Sequence, residues 1–171
     1  VAAKKALKNA EMSIQDIDLI IVATTTPDYT FPSTATIVQK KLGIKHGAAF
    51  DIQAVCSGFI YGMSIADAML KSRSAQNVLL IGAETFSRIL DWNDRSTCVL
   101  FGDGAGAVLL EPNTEGYGVL DSILRSDGSG RIYLHQKAGG SVKPPTHKTI
   151  DDKEHFVFQD GQPVFKFAVT R

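Results

Sequence analysis

Three short apolar runs, separated by segments with helical patterns, constrain the fold of this chain more than any other feature. They cover residues 18–23, 48–52 and 78–83, and the first and third are almost wholly apolar. Such runs are typical of strands that are buried on both faces of a parallel sheet. Because helical segments lie between them, the rhythm is that of βαβ units. The sequence therefore predicts a layered α/β fold with a mostly parallel, mixed sheet.

Capping residues predict where the intervening helices begin and end. Residues 1–10 have an amphipathic pattern, and Ser13 is placed to cap a short helical turn. A further helix is expected to open at Ser33, after a proline, and to run through Leu42. Gly43 is the residue type that most often ends a helix, so we expect the chain to turn there.

Beyond residue 98 the pattern changes from helices to short strands and loops. Residues 99–101 and 105–110 are predicted to be strands that fold back on one another, and 118–124 a further strand. The segment 102–107, which contains the glycine turn between these strands, formally fits a G-x-G-x-x-A dinucleotide pattern. A strand pattern follows where that motif needs a helix, so we expect the glycines to allow a tight structural turn. Residues 127–153 are rich in Gly, Pro, Ser and Lys, which is typical of exposed, mobile connections.

The most distinctive stretch runs from Asp51 to Asp67, because the fifteen residues between these aspartates carry no charge. It is shorter than the roughly 20 apolar residues that cross a bilayer, so we interpret it as a buried core segment. From Ile60 onward its apolar residues recur at the spacing of a helix that is buried nearly all round. Cys56 is thereby predicted to lie at the turn between a strand and this helix.

Cys56 is the candidate nucleophile of the chain. The first amides of a helix lack internal partners and carry about half a positive charge, which stabilises a thiolate there. Ser57 and Gly58 are small enough to admit a substrate carbonyl, and the Cys56 amide is placed to donate to the oxygen that becomes negative when a thioester is attacked. From the residues alone an inert cysteine is the alternative, since free cysteines are often simply buried.

Composition and charge narrow the classes of function. Hydrophobic residues make up 44% of the chain and charged residues 21%, and eighteen basic residues balance eighteen acidic ones. No strong field is left to attract nucleic acid or an anionic membrane, so neither partner is expected. Cys56 and Cys98 form neither a metal-spaced pair nor a disulfide framework. We therefore expect no metal site, a reducing cytoplasmic location, and a core role for Cys98.

The window of residues 51–59 resembles the nucleophile segment of β-ketoacyl-acyl carrier protein synthase III, a condensing enzyme of the thiolase superfamily. The resemblance covers practically the whole chain and extends, in the family's order and spacing, through motifs at residues 23–28, 31–33, 81–84, 94–95 and 101–107. It implies a thiolase-like layered fold, αβαβα in the intact enzyme, with a buried helix. The chain is expected to contain only a part of such an enzyme, namely most of its first half.

The resemblance implies a role for each matching side chain. Cys56 matches the acyl-accepting nucleophile, and Arg95 matches a residue that helps to hold the adenine nucleotide of coenzyme A. Phe86 and Phe101 resemble positions that line the acyl pocket. Phe31 resembles a position that reaches across a homodimer interface toward the partner's pocket. From the residues alone, Arg95 is also interpretable as a surface arginine paired with a neighbouring aspartate.

The reaction that the resemblance implies is the condensation that starts fatty acid synthesis. An acyl group moves from acyl-CoA to Cys56, and decarboxylative Claisen condensation with malonyl-acyl carrier protein then gives 3-oxoacyl-acyl carrier protein. No cofactor is implied beyond the coenzyme A thioester that serves as substrate. The histidine and asparagine that complete such a site belong to the second half. The alternatives are a hydroxymethylglutaryl-CoA synthase or polyketide starter type of condensing enzyme, and an inactive dimerising or carrier-binding module.

The ends of the chain also bear on domain organisation. The sequence begins within an amphipathic pattern and ends about two turns into a helix predicted for residues 163–171. Members of the resembled family are about twice as long. We therefore expect residues 1–113 to be the N-terminal thiolase-like half without its first strands, and 114–160 to be a strand-and-loop insertion that covers the active site. Residues 161–171 are expected to be the first helix of the second half.

Overall fold

A computed structural model of the protein describes residues 1–170, which separate into two compact units. The first unit comprises Val1–Glu84 and Gly104–Leu124. The second comprises Thr85–Asp103 and the chain from Arg125 onward. Each unit has its own apolar core, and the domain boundaries expected from the sequence stay a prediction.

Helices and strands alternate through the first unit. In chain order they are α1 (Ala2–Asn9), β1 (Leu19–Ala23), α2 (Thr34–Leu42), β2 (Ala48–Ile52), α3 (Gly58–Lys71), β3 (Val78–Thr85) and β4 (Asp103–Leu110). Within residues 1–170 these strands form a four-stranded sheet in the order β2-β1-β3-β4, and β1 is parallel to both β2 and β3. The predicted α/β class with a mostly parallel sheet is confirmed.

Strand β1 lies at the centre of the apolar core and is buried at every position. Because successive strand side chains point to opposite faces, its residues divide between two clusters. Ile20 and Val22 pack with residues of α1 and α2 on one face, whereas Leu19 and Ile21 pack with α3 on the other. A fully buried aliphatic side chain stabilises a fold by roughly 1.5–3 kcal/mol, so this strand anchors both layers.

The predicted caps lie at the helix ends. The Ser33 hydroxyl accepts a hydrogen bond from the Thr36 amide and begins α2. Gly43 ends the same helix in the left-handed region, at φ 78°. The Ser13 hydroxyl accepts from the Gln15 amide at 3.3 Å and begins a short helical turn, as the sequence predicts.

Helix α3 approaches the sheet through a row of small residues. Gly58, Gly62 and Ala66 are its buried positions, and a Cβ atom added at Gly62 would lie 2.5 Å from Leu80 Cδ1. Ile60, on another face, is 56% exposed. The expectation of a helix buried nearly all round is therefore wrong, because only one face of α3 packs on the sheet within the described residues.

The second unit contains shorter elements around a small aromatic core. They are β5 (Leu134–Gln136), α4 (His147–Asp151), β6 (Val157–Gln159) and α5 (Gly161–Thr170). Strands β5 and β6 are antiparallel, and Phe86, Leu90 and Val157 form the buried cluster. The helix predicted near the end of the chain is α5, which has Pro163 in its first turn, and Arg171 lies outside the described residues.

Two predicted strands are wrong. Residues 99–101 belong to a helical turn in which the amides of Leu100 and Phe101 both donate to the Thr97 carbonyl. Cys98, for which a core role is expected, lies in the same turn and is partly exposed. Residues 118–124 pair with no strand of residues 1–170 and are mostly exposed. Neither stretch has a neighbouring strand to satisfy its backbone, so its apolar pattern alone does not make it a strand.

Candidate active site

Cys56 lies where the sequence places it, between a strand and a helix. It is the central residue of the 3₁₀ turn Val55–Ser57, which joins β2 to α3, and it is exposed. The Ser57 amide donates to the Ala54 carbonyl at 3.1 Å, and the Gly58 amide donates to the Val55 carbonyl. These two donors are used within the turn, and the Cys56 amide as a donor to a substrate oxygen stays a prediction.

The backbone immediately before Cys56 is strained. Val55 has a φ of 49°, in the left-handed region that a β-branched residue rarely adopts. Such a conformation costs roughly 1–3 kcal/mol and persists only where the surroundings impose it. The turn therefore holds the cysteine in a fixed and unusual orientation, which is a common property of sites that carry out chemistry.

Packing of α3 on the sheet sets the position of this turn. The added Cβ of Gly58 would lie 3.3 Å from the Ala23 Cβ, so the first turn of the helix sits close to the end of β1. Phe59, the next residue, packs its ring over Gly82 of β3. The start of α3, and with it Cys56, is thus fixed against the carboxyl ends of two parallel strands.

A second segment, residues 24–33, leaves the same edge of the sheet and carries Phe31. The Asp51 carboxylate accepts from the amides of Thr34 and Ala35, each at 2.7 Å, at the far end of this loop. At its near end the Glu84 carboxylate accepts from the Thr25 amide at 2.8 Å. Because hydrogen bonds to these carboxylates hold both ends of the loop, the backbone on either side of Phe31 is anchored to the sheet.

Phe31 itself projects from this loop and is 83% exposed. A large apolar side chain this exposed has no core role within residues 1–170. The role of Phe31 in contacting a partner subunit stays a prediction.

Phe86 and Phe101 are brought into contact in the second unit. Their ring centroids lie 5.0 Å apart with an interplanar angle of 27°, and Phe86 is buried. Aromatic pairs stacked in this range stabilise by about 0.5–1.5 kcal/mol beyond the area they bury. The two residues that the resemblance assigns to one pocket wall thus form one apolar surface.

Arg95 lies on an exposed turn of the second unit that runs from Asp91 to Phe101. Asp94 accepts from the Ser96 amide and hydroxyl and from the Thr97 hydroxyl at 2.6–2.9 Å. These hydrogen bonds, led by the one from the Ser96 hydroxyl, hold the pKa of the Asp94 carboxyl below its ordinary value. The carboxylate next to Arg95 is therefore occupied by the turn itself.

Arg95 makes no hydrogen bond or ion pair within residues 1–170, so the alternative of a surface arginine paired with a neighbouring aspartate is not what the structure contains. Asp91 is engaged by Lys153 and Asn93, as Asp94 is by its own turn. The guanidinium is left available for an anionic or aromatic ligand.

Asp103 fixes the segment that joins Phe86 to the turn of Arg95. Its two carboxylate oxygens accept from the Ser87 amide and the Ser87 hydroxyl, each at 2.7 Å. The bond from the Ser87 amide is the main reason that the pKa of the Asp103 carboxyl lies below its ordinary value. The Asp103 carboxylate thereby connects the residue that follows Phe86 to the chain just after Phe101.

These carboxylates accept hydrogen bonds from the backbone of segments that carry the candidate site residues, and the sequence did not predict these contacts. Asp51 and Glu84 lie at or next to the carboxyl ends of predicted strands, which was the available signal. Their partners are up to 59 residues away in the chain, so the contacts follow from the sheet topology and not from local spacing.

The remaining motifs have structural roles or none. Residues 103–107 are already part of β4, so the tight turn predicted for 102–107 is wrong. A strand and not a helix follows Gly102, so the segment lacks the helix that a dinucleotide motif needs. Across the described residues, no group of three side chains is arranged to hold a metal ion. Within the same residues, no helix combines the length and the apolar character needed to span a membrane.

The sequence of this chain is similar to those of a known protein family. The profile of the family described as 3-oxoacyl-[acyl-carrier-protein (ACP)] synthase III matches residues 50–128, which include Cys56 and Arg95. The β-ketoacyl-[acyl-carrier-protein] synthase III of Caldanaerobacter subterraneus subsp. tengcongensis is 54% identical over 168 residues, which are 98% of this chain and 51% of that protein.

Solved structures agree in fold. The 3-oxoacyl-[acyl-carrier-protein] synthase III of Aquifex aeolicus is 45% identical, with a TM-score of 0.84, over 96% of this chain and 49% of that one. The β-ketoacyl synthase III of Thermus thermophilus is 40% identical, with a TM-score of 0.86, over 98% of this chain and 51% of that one. The chain spans about half the length of the relatives it matches. It belongs to the β-ketoacyl-[acyl-carrier-protein] synthase III family, whose members have the thiolase-like fold.

Proposed function

We propose that the protein is a condensing acyltransferase that starts fatty acid synthesis, with Cys56 as its acyl carrier. The observation that carries the proposal is the exposed Cys56 in a strained turn at the start of α3, in a chain 54% identical to a β-ketoacyl-[acyl-carrier-protein] synthase III. A nucleophilic cysteine divides one difficult condensation into two easier steps.

In the first step the Cys56 thiolate attacks the carbonyl of an acyl-CoA. A carbon–sulfur bond to Cys56 forms, the bond to coenzyme A breaks, and the released thiolate takes up a proton. In the second step malonyl-acyl carrier protein loses carbon dioxide, and the resulting carbanion attacks the acyl carbonyl on Cys56. A carbon–carbon bond forms, 3-oxoacyl-acyl carrier protein leaves, and the Cys56 thiolate is regenerated.

The other predicted residues take separate parts in this proposal. Arg95 is free of protein partners within residues 1–170, which supports a role in holding the adenine nucleotide of the acyl-CoA. The stacked rings of Phe86 and Phe101 are suited to contact the apolar acyl chain. The exposed Phe31 supports a homodimer in which this side chain contacts the partner subunit. We propose no metal and no cofactor other than the coenzyme A thioester, and a cytoplasmic location.

Acylation by radiolabelled acetyl-CoA tests the proposal. The intact protein is incubated with the label, denatured and treated with hydroxylamine, which cleaves thioesters. We expect label that hydroxylamine releases, and none on Cys56→Ser. Cys98→Ser is the matched control, because Cys98 is the second free cysteine, and it should keep the label. Label that persists on Cys56→Ser, or none on the unaltered intact protein, would contradict the proposal.

Release of carbon dioxide separates the proposal from the hydroxymethylglutaryl-CoA synthase type and from a module without chemistry. With malonyl-acyl carrier protein as second substrate, we expect one carbon dioxide for each 3-oxoacyl product. An acyl-Cys56 that condenses only with an acyl-CoA and without decarboxylation would favour the hydroxymethylglutaryl-CoA synthase type. Failure to form any acyl-cysteine would favour a dimerising or carrier-binding role.

A further inference from the structure

A lysine that follows helix α4 fixes the segment that carries Arg95. The Lys153 Nζ lies 2.7 Å from Asp91 Oδ2, a contact between residues 62 positions apart. The Asp91 side chain is only 17% exposed, and its other oxygen accepts from the Asn93 amide at 2.9 Å. The carboxylate therefore joins the first residues of the Arg95 turn to the end of α4.

The backbone at Lys153 indicates that the side chain is what this position requires. Lys153 has a φ of 58° and directly follows Asp152, the C-cap of α4. Glycine adopts this left-handed conformation without strain and is the usual residue just after a helix, whereas a residue with a Cβ adopts it at a cost. A lysine here is thus unfavourable for the backbone, and its contact with Asp91 is the compensating interaction.

The charge of Lys153 also matters for Arg95. Two aspartates, Asp91 and Asp94, closely precede Arg95 in the sequence, and either would draw its guanidinium into an ion pair if left uncompensated. Asp94 is satisfied by its own turn, and Asp91 is neutralised by Lys153. The hydrogen bond from Lys153 is the largest reason that the pKa of Asp91 lies below its ordinary value, so this carboxylate is held in its charged, paired form.

We propose that Lys153 is a positioning residue for nucleotide recognition: by pairing with Asp91 it holds the turn of residues 91–97 and leaves the Arg95 guanidinium available to the ligand. The proposal rests on the proposed function, in which Arg95 contacts the adenine nucleotide of an acyl-CoA. Exposed ion pairs contribute little to global stability, so the effect of Lys153 is local to this turn.

Lys153→Gly tests the proposal, because glycine suits the backbone and removes only the side chain. In the intact protein, we measure kcat and KM for acetyl-CoA and for S-acetylpantetheine, which carries the same thioester without the nucleotide. We expect the KM for acetyl-CoA to rise about five-fold, in the range of a charge-assisted contact at a partly exposed site, with kcat unchanged. The KM for S-acetylpantetheine should not change.

Four further variants separate positioning from a structural role. Lys153→Arg keeps the charge pair and should restore the KM for acetyl-CoA. Asp91→Asn loses the contact with Lys153 but also the charge that would compete for Arg95, so it should raise the KM for acetyl-CoA less than Lys153→Gly does, and the double variant should match Asp91→Asn. Lys148→Ala is the matched control, since Lys148 pairs with Asp152 on the exposed side of the same helix, and it should leave both KM values unchanged.

The outcomes distinguish this inference from the proposed function. A Lys153→Gly variant with an unchanged KM for acetyl-CoA, or with equal increases for both donors, overturns the positioning role while leaving acyl transfer intact. An unaltered protein that accepts acetyl from neither donor overturns the proposed function, and the positioning role with it. An unchanged thermal unfolding midpoint for Lys153→Gly supports the local effect.

Discussion

In the first unit Cys56 is positioned by apolar packing, whereas in the second unit Arg95 is positioned by hydrogen bonds to carboxylates. Gly62 and Ala66 let α3 lie against buried strands, and the start of that helix carries the cysteine. Arg95 instead lies on a turn whose donors converge on Asp91 and Asp94. Packing contacts are independent of pH, but carboxylate contacts depend on ionisation, so we expect the two positions to respond differently to acid.

The two units also differ in the size of their apolar cores. Both faces of the central sheet are covered in the first unit, by two separate clusters of buried residues. The second unit has one small cluster, in which Phe86, Leu90 and Val157 are buried. A unit with so little buried apolar area depends more on each contact it makes. The second unit should therefore be the less stable of the two.

Phe86→Ala has the largest expected effect. Removing a buried ring that stacks on Phe101 should lower the free energy of unfolding of the second unit by about 3 kcal/mol. Hydrogen exchange should show lost protection in β5 and β6 and unchanged protection in β1. Phe31→Ala is the control, since that ring is exposed, and it should change stability by less than about 0.5 kcal/mol. Equal loss of protection in β1 would break the comparison.

Gly62→Ala tests the packing of α3. Alanine normally favours a helix over glycine, but here its Cβ would clash with Leu80, so we expect a net loss of about 2 kcal/mol. Urea unfolding measures the change. Gly161→Ala in α5 is the matched control, because its Cβ would meet the nearest atom at an ordinary 3.7 Å. A Gly62→Ala protein as stable as the control would show that α3 does not depend on this close approach.

Asp51→Asn tests whether the first unit also depends on a carboxylate. Asparagine keeps one oxygen but presents an NH₂ group to a backbone amide, so one of the two α2 amides loses its acceptor. We expect a loss of about 1 kcal/mol, measured by urea unfolding. Asp28→Asn is the control, because Asp28 lies in the loop of residues 24–33 with an exposed side chain, and it should have no effect. An effect larger than that of Gly62→Ala would reverse our ranking of packing over polar contacts in this unit.

The smallest expected effect is the response of the second unit to acid. The pKa of Asp103 is lowered from 3.8 in the folded state, chiefly by the Ser87 amide. A lowered folded pKa means that the contribution to stability is complete above about pH 4 and is lost as the pH falls through the folded value. Protection of the Ser87 amide, corrected for intrinsic exchange, should therefore fall below pH 4. Protection in β1 should not.

Asp103→Asn is the control for this pH dependence. The variant should have lower protection at Ser87 at neutral pH and no further loss as the pH falls. Protection at Ser87 that stays constant from pH 6 to pH 3 in the unaltered protein would show that the carboxylate is not the acceptor that matters.

The parts of the fold that the sequence predicted are those set by local pattern. The apolar runs that became β1 and β3 are buried on both faces, and Gly43 ends α2 as its residue type suggests. Residues 99–101 have the same apolar character, yet they fold as a helical turn because Thr97 accepts the amides of Leu100 and Phe101. That competition between a local turn and a strand depends on a neighbouring strand, which no short window of sequence contains.

In the candidate site, too, some features were predicted by local pattern and others were not. The position of Cys56 between a strand and a helix followed from the pattern, but the left-handed conformation of Val55 did not, because nothing in its residue type favours it. The roles of Arg95 and Phe101 came from resemblance. The contact of Lys153 with Asp91 had no signal in the sequence, since it joins two loops that only the folded chain brings together.

The turn that carries Arg95 also carries the only tryptophan of the chain. Trp92 is 64% exposed and lies three residues before Arg95. Indole emission depends on the polarity around the ring, so under the proposed function we expect the emission of Trp92 to change when a nucleotide binds beside Arg95. Titration with coenzyme A should then change the emission, and titration with pantetheine should not.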